Sequence, residues 1–137
     1  MFVVLVRHAE PLPTGTDPAL STAGRKRALS LAKMLVDAGI TAIFTSELRR
    51  TKETAAPFAS LASITPVVIN NDPAAAAIQV KAAGKRVLVV GHTNTVPDTI
   101  EALGGPSDVV IEHNEFNRLF VLQVPASGAG SLLRLRF

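Results

Sequence analysis

Arg7-His8-Ala9-Glu10 follows directly on the apolar run Phe2-Val3-Val4-Leu5-Val6. The tetrad therefore leaves the carboxyl end of a buried strand, where open α/β sheets bind their ligands. A cation there is costly unless an anion sits beside it. Two other segments repeat the arrangement. Thr45-Ser46-Glu47-Leu48-Arg49-Arg50 leaves a short strand and enters a helix, and Gly91-His92-Thr93-Asn94 leaves the continuous run Val87-Leu88-Val89-Val90. In a parallel sheet three such ends share one edge, so two imidazoles and two guanidiniums meet across long sequence separations. Arginine recognises phosphate through a planar, bidentate fork, and histidine is nucleophile or acid–base at neutral pH. With no ring of carboxylates or thiolates around them, these residues describe an oxyanion site rather than a metal site. They suit phosphoryl transfer through a phosphohistidine, with the charge on the transferred group stabilised electrostatically.

The elements that must hold these groups alternate along the chain. Strands are expected at Phe2–Val6, Thr41–Thr45, Pro66–Ile69 and Arg86–Val90, the last continuous enough to be covered on both faces. Between them come helices. Ser21–Ala38 has Ser21 as N-cap, Leu29, Ala32, Leu35 and Val36 on one face, and Gly39 as its stop. Glu47–Leu61 should bend or end near Pro57, and Pro73–Ala83 opens with Asp72 as cap and Pro73 at its first position. Val96–Leu103 ends at Gly104-Gly105. The tail reads differently: Arg118–Val124 and Ser131–Phe137 alternate across a Pro/Gly/Ser-rich turn, the pattern of an antiparallel hairpin. The fold class expected is a three-layer α/β/α sandwich, mainly parallel, with an antiparallel C-terminal hairpin.

Composition narrows the function. A chain of 137 residues is long enough for one domain with a single core. No uncharged apolar run reaches the ~20 residues that cross a bilayer. Met1–Arg7 lacks a basic n-region and a small-residue cleavage site, so it reads as a first strand rather than a signal peptide. Cysteine is absent, which excludes disulfides, thiolate metal sites and cysteine catalysis, and a cytoplasmic location is expected. Fourteen Lys and Arg against eleven Asp and Glu, with no Trp or Tyr, give neither the charge nor the stacking platform of a nucleic-acid binder. The small positive balance suits a small anionic group. No membrane partner and no cofactor are expected, and the oligomeric state is left open.

Taken together, the motifs resemble the histidine phosphatase superfamily, the phosphoglycerate-mutase-like branch. Leu5-Val6-Arg7-His8-Ala9-Glu10 is similar to its opening motif, with Ala9 where Gly is commoner. Asp17-Pro18-Ala19-Leu20-Ser21-Thr22-Ala23-Gly24, Thr45-Ser46-Glu47-Leu48-Arg49-Arg50-Thr51 with Thr54-Ala55, and Val89-Val90-Gly91-His92-Thr93-Asn94-Thr95 follow its later motifs in order. The resemblance implies a metal-independent phosphatase. His8 attacks phosphorus through one ring nitrogen while a backbone carbonyl holds the other. Arg7, Arg50 and His92 bind the phosphoryl oxygens, and Thr93 and Asn94 line the substrate site. Arg50 rather than Arg49 fits the motif, and Arg49 is expected to face solvent. His113, among Glu112, Asn114 and Glu115, is expected to be a surface histidine.

The pattern lacks one part. Mutase-type members supply a Glu between the second Arg and the second His, but none lies between Glu53 and Glu101; acid phosphatases put Asp directly after the second His, where this chain has Thr93. Asp98 and Glu10 are the nearest candidates for a proton donor, while Asp72 reads as a helix cap. With no strong acid, the expected substrates are those whose leaving groups depart easily, such as the imidazole of a phosphohistidine, and rates should depend steeply on the leaving group. The chain resembles the small bacterial phosphohistidine phosphatases in length and leaves no room for a large inserted cap. The site should be shallow and open to phosphate on a small molecule or a phosphoprotein. Two other readings stand beside this one: a phosphoglycerate-mutase-type phosphotransferase, and a non-enzymatic phosphate- or phosphoprotein-binding module.

Overall fold

A computed structural model describes residues 1–137. The chain runs β1 (Phe2–Arg7), α1 (Thr22–Leu35), β2 (Ala42–Thr45), α2 (Arg49–Ala62), β3 (Val67–Val68), α3 (Pro73–Ala82), β4 (Arg86–Gly91), α4 (Thr95–Ala102), β5 (Arg118–Gln123) and β6 (Ser131–Arg136). The strands form one six-stranded sheet in the order β3-β2-β4-β1-β5-β6. β1, β2, β3 and β4 pair in parallel, while β5 runs antiparallel to β1 and β6 antiparallel to β5.

The two-residue period of the central strands makes three layers. Val3, Leu5, Val87 and Val89 point to one face, where Ala77 and Val80 of α3 and Val96 and Ile100 of α4 cover them. Val4, Val6, Leu88 and Val90 point to the other, against Leu31 and Leu35 of α1 and Ala55 and Phe58 of α2. β1 and β4 are buried on both sides, which is why their sequences are unbroken apolar runs.

Several element boundaries differ from the sequence reading. α1 stops at Leu35 rather than Ala38, because the Ala38 N–H reaches back only to the Leu35 carbonyl (3.0 Å) and tightens the last turn ahead of Gly39, at φ 72°. α2 begins at Arg49 rather than Glu47, since the Leu48 N–H donates to Ser46 Oγ (3.3 Å) and closes a separate turn first. It also continues past Pro57 to Ala62 rather than ending there. Thr51, Thr54 and Ala55 before the proline and Phe58 and Ala59 after it are all buried, so packing on both sides outweighs one missing hydrogen bond. β3 shrinks to two exposed valines at the sheet edge. The Asp72 cap on α3 is as read: its carboxylate accepts from the Ala75 N–H at 3.0 Å.

The register sets up the site. Arg7 of β1 lies opposite Gly91 of β4, and Thr45 of β2 opposite Val90, so three parallel strands end level with one another. The His8 N–H continues the ladder to the Gly91 carbonyl at 2.8 Å. β5 begins at this same edge, because antiparallel pairing sets Leu119 opposite Val6. The segment leading into β5 must therefore come past the ends of β1 and β4.

Candidate active site

The residues after β1 are clasped from two sides. The Ser21 N–H and Oγ both donate to the Glu10 carbonyl, at 2.9 and 3.0 Å, while Ser21 Oγ accepts from the Gly24 N–H at 3.1 Å and so caps α1. Gly24 is required here, since a Cβ would run into the Glu10 carbonyl oxygen. From the other side, Thr54 Oγ1 accepts from the buried Ala9 N–H (2.8 Å) and donates to the Arg50 carbonyl (2.7 Å). The loop bearing His8 and the helix bearing Arg50 are thus tied together. Asp17 completes the clasp by accepting from the Arg49 N–H at 2.9 Å, which supplies α2 with the cap its own Leu48 cannot give.

His8 is buried, and its Nδ1 lies 2.7 Å from the Ala9 carbonyl. A carbonyl only accepts, so Nδ1 carries the proton and Nε2 keeps its lone pair. Arg50 Nε donates toward that lone pair at 3.3 Å. The His92 ring stands 5.3 Å from the His8 ring, centre to centre, and is tilted by 60°. His92 Nε2 shares a hydrogen bond of 2.9 Å with Ser46 Oγ, which is itself 2.9 Å from Thr51 Oγ1.

Burial pulls the His8 pKa down from 6.5 to about 4; Arg7, His92 and Arg50 push the same way, and only the bond to the Ala9 carbonyl opposes them. His92 is likewise lowered to about 4, by burial first and then by Arg50 and Arg7. Both imidazoles are neutral at pH 7. That is the form in which Nε2 of His8 is a nucleophile.

Neither Arg7 nor Arg50 is paired with a carboxylate. Glu10 is taken by Arg27 (Nε to Oε1, 2.8 Å; Nη2 to Oε2, 3.1 Å), and Glu53 by the exposed Arg49 (3.0 Å). Arg7 Nη1 instead donates to the carbonyls of His113 (2.7 Å), Glu115 (2.8 Å) and Glu112 (3.4 Å), and its guanidinium stacks 4.0 Å from the Phe116 ring centre. Its Nε is buried without a partner. An orphaned donor beside a second unpaired cation is a place prepared for an anion. Burial and the Arg50 charge both pull the Arg7 pKa below its usual value, a repulsion that a bound anion relieves.

Arg7, His8, Arg50, His92, Thr93 and Asn94 line one open pocket of about 390 Å³. Of the two carboxylates considered as proton donors, neither lines it. Glu10 is held in its ionised form chiefly by the hydrogen bond from Arg27, and it faces α1. Asp98 is exposed and lines an adjacent cleft of about 380 Å³, along with Ser46, Asn70, Asn71 and His92. His113 is exposed, but it lines the pocket with the two other histidines. It is the surface histidine that the sequence suggests, but the sequence ties neither it nor Phe116 to the site. No local motif marks either residue; only the antiparallel pairing of β5 with β1 brings them in.

The sequence profile of the histidine phosphatase superfamily, branch 1, matches residues 3–73. The chain belongs to this superfamily. The match takes in the His8 loop, its clasp and all of α2. No curated protein matches the sequence. Among solved structures, the protein histidine phosphatase SixA complexed with tungstate superposes with a TM-score of 0.81 at 16% identity, over 99% of this chain and 97% of that one. A putative phosphohistidine phosphatase SixA from Agrobacterium tumefaciens gives 0.68 at 24% identity, over 88% and 90% of the two chains. A putative α-ribazole-5'-P phosphatase from Escherichia coli K-12 gives 0.75 at 16% identity, over 100% and 96%. At these identities the likeness is one of fold. As a histidine phosphatase superfamily member with that fold, the chain is an enzyme of the phosphatase class.

Proposed function

We propose that this one-domain chain hydrolyses phosphorylated substrates through a phospho-His8 intermediate and without a metal ion. His8 Nε2 attacks phosphorus and the leaving group departs. Water then attacks the phosphohistidine and releases inorganic phosphate. Arg7, Arg50 and His92 hold the non-bridging oxygens, and Thr93 and Asn94 form the rim on the β4 side. The observation that carries this reading is the 3.3 Å approach of an unpaired guanidinium, Arg50, to the lone pair of His8. A divalent cation on that nitrogen would face the arginine's charge, whereas a phosphoryl group satisfies both.

The openness of the pocket supports a substrate whose phosphate is carried on a bulky group, and a phosphohistidine-bearing protein fits best. Two of the similar solved structures are a protein histidine phosphatase and a putative phosphohistidine phosphatase, and that kinship of fold supports the same class here. A mutase must retain its substrate between two transfers, which an open pocket does not favour. Pure phosphate binding needs no free nucleophile, so the lone pair on His8 argues against a binding module.

The test is hydrolysis of an aryl phosphate and of a phosphohistidine peptide by wild type and by His8→Ala, with and without chelator. Turnover of both by wild type, its loss in the variant and its indifference to chelator are expected. Turnover that vanishes with chelator and returns with a divalent metal would contradict the mechanism.

A further inference from the structure

We propose that His113 is the proton donor to the leaving group, an assignment that rests on the phospho-His8 reading above. No carboxylate lines the pocket, and its titratable side chains other than arginine are His8, His92 and His113. His8 is the nucleophile, with its Nδ1 proton on the Ala9 carbonyl, and His92 Nε2 is held by Ser46. The His113 imidazole makes no hydrogen bond within the fold. What fixes the residue is its backbone, whose carbonyl accepts from Arg7 Nη1 at 2.7 Å.

That bond is made by an arginine that the mechanism uses to grip phosphate. Glu112 and Glu115 also present carbonyls to Arg7, and Phe116 lies against its guanidinium. His113 is thereby registered to the phosphate site while its side chain stays free. Glu115 does not compete for the role, because its carboxylate accepts from the Glu112 N–H (3.0 Å) and from Arg136 (3.0 Å). A free imidazole at the open side of a phosphate pocket is placed to serve whatever group leaves.

The step balances without a co-reactant other than water. As His8 Nε2 bonds to phosphorus, the bond to the leaving oxygen or nitrogen breaks and its electron pair stays with that atom. The protonated His113 ring gives that atom its proton. In the second half-reaction the neutral ring takes a proton from the attacking water, phosphate departs and His8 recovers its lone pair. His113 begins and ends the cycle protonated.

The experiment compares wild type, His113→Ala, His113→Gln and Asp98→Asn on p-nitrophenyl phosphate and on glycerol phosphate, with His8 labelling followed in parallel. A good leaving group needs no proton; an alkoxide does. Both His113 variants should lose glycerol phosphate turnover by about 100- to 10,000-fold and aryl turnover by far less. Imidazole in the buffer should restore part of the alkyl rate of His113→Ala, and Asp98→Asn should keep the wild-type ratio of the two rates. Equal losses on both substrates, no loss, or full rescue by Gln would overturn the assignment, and a collapsed ratio in Asp98→Asn would move the role to Asp98. Wild type that forms no phospho-His8 would overturn the mechanism beneath it. Intact labelling with no substrate split would overturn His113 alone.

Discussion

The two walls of the phosphate pocket are built on different principles. The wall after β1 and β2 is held from beneath: Ser21 and Gly24 clasp Glu10, Thr54 ties Ala9 to α2, and Asp17 caps that helix. Each contact is made by a side chain or a glycine within a few residues of a recognisable motif. The opposite wall, between α4 and β5, has no regular structure around His113; Val109 and Ile111 anchor it in the core, Glu115 pairs with Arg136, and its carbonyls tie it to Arg7. The second depends on a residue of the first, so binding a phosphate and positioning the far wall are coupled through one guanidinium.

Arg7→Ala should break this comparison most severely. It removes a phosphate donor and the latch together, and kcat/KM should fall by more than the roughly 100- to 1,000-fold typical of losing one such donor. Amide exchange should quicken across Glu112–Phe116. Arg50→Ala touches the first wall alone, so its loss should stay within that range and leave exchange in the far segment unchanged. If Arg50→Ala loosened Glu112–Phe116 as much as Arg7→Ala does, the latch would not be Arg7.

Gly24→Ala presses a methyl group into the Glu10 carbonyl. Overpacking of this kind costs about 1–3 kcal/mol, and the displaced His8 loop should lower kcat as well as the melting temperature. An unchanged melting temperature with full activity would show that the clasp yields freely. Thr54→Val keeps the shape but leaves the buried Ala9 N–H without an acceptor, for about 1–3 kcal/mol. Denaturant unfolding measures it; a loss below that range would mean water replaces the hydroxyl.

A further effect, on the whole fold, is one of pH. His8 and His92 bind protons at about 4 in the folded chain against 6.5 ordinarily, so the unfolded chain takes up protons first as pH falls. Stability that is complete above 6.5 is therefore lost progressively toward 4. Phosphate, which favours the charged rings, should restore much of it. Thermal melts across this window, with and without phosphate, check the sign. A chain as stable at pH 4.5 as at neutrality would contradict the two depressed values.

How far the sequence could be read follows the same division. Strand ends bearing Arg7, His8 and His92 were legible because buried parallel strands announce themselves as unbroken apolar runs and their polar ends share an edge. Arg50 was separable from Arg49 by its place in the motif, and Arg49 is indeed exposed and paired with Glu53. The continuation of α2 past Pro57 was not legible, since burial on both sides of the proline decides it. Nor was the role of the segment around His113. Alternation identified β5 and β6 as a hairpin closing one edge, but nothing local names β1 as the strand that β5 pairs with. That single pairing carries His113 and Phe116 to the site.

The central claim is that His8 carries the phosphoryl group during turnover. Rapid acid-free quenching of enzyme turning over a radiolabelled phosphate donor tests it most directly. Label should appear on His8 within one turnover, survive alkali, wash out in acid and be absent from His8→Ala. Turnover by wild type with no labelled protein, or label that persists in His8→Ala, would contradict the account.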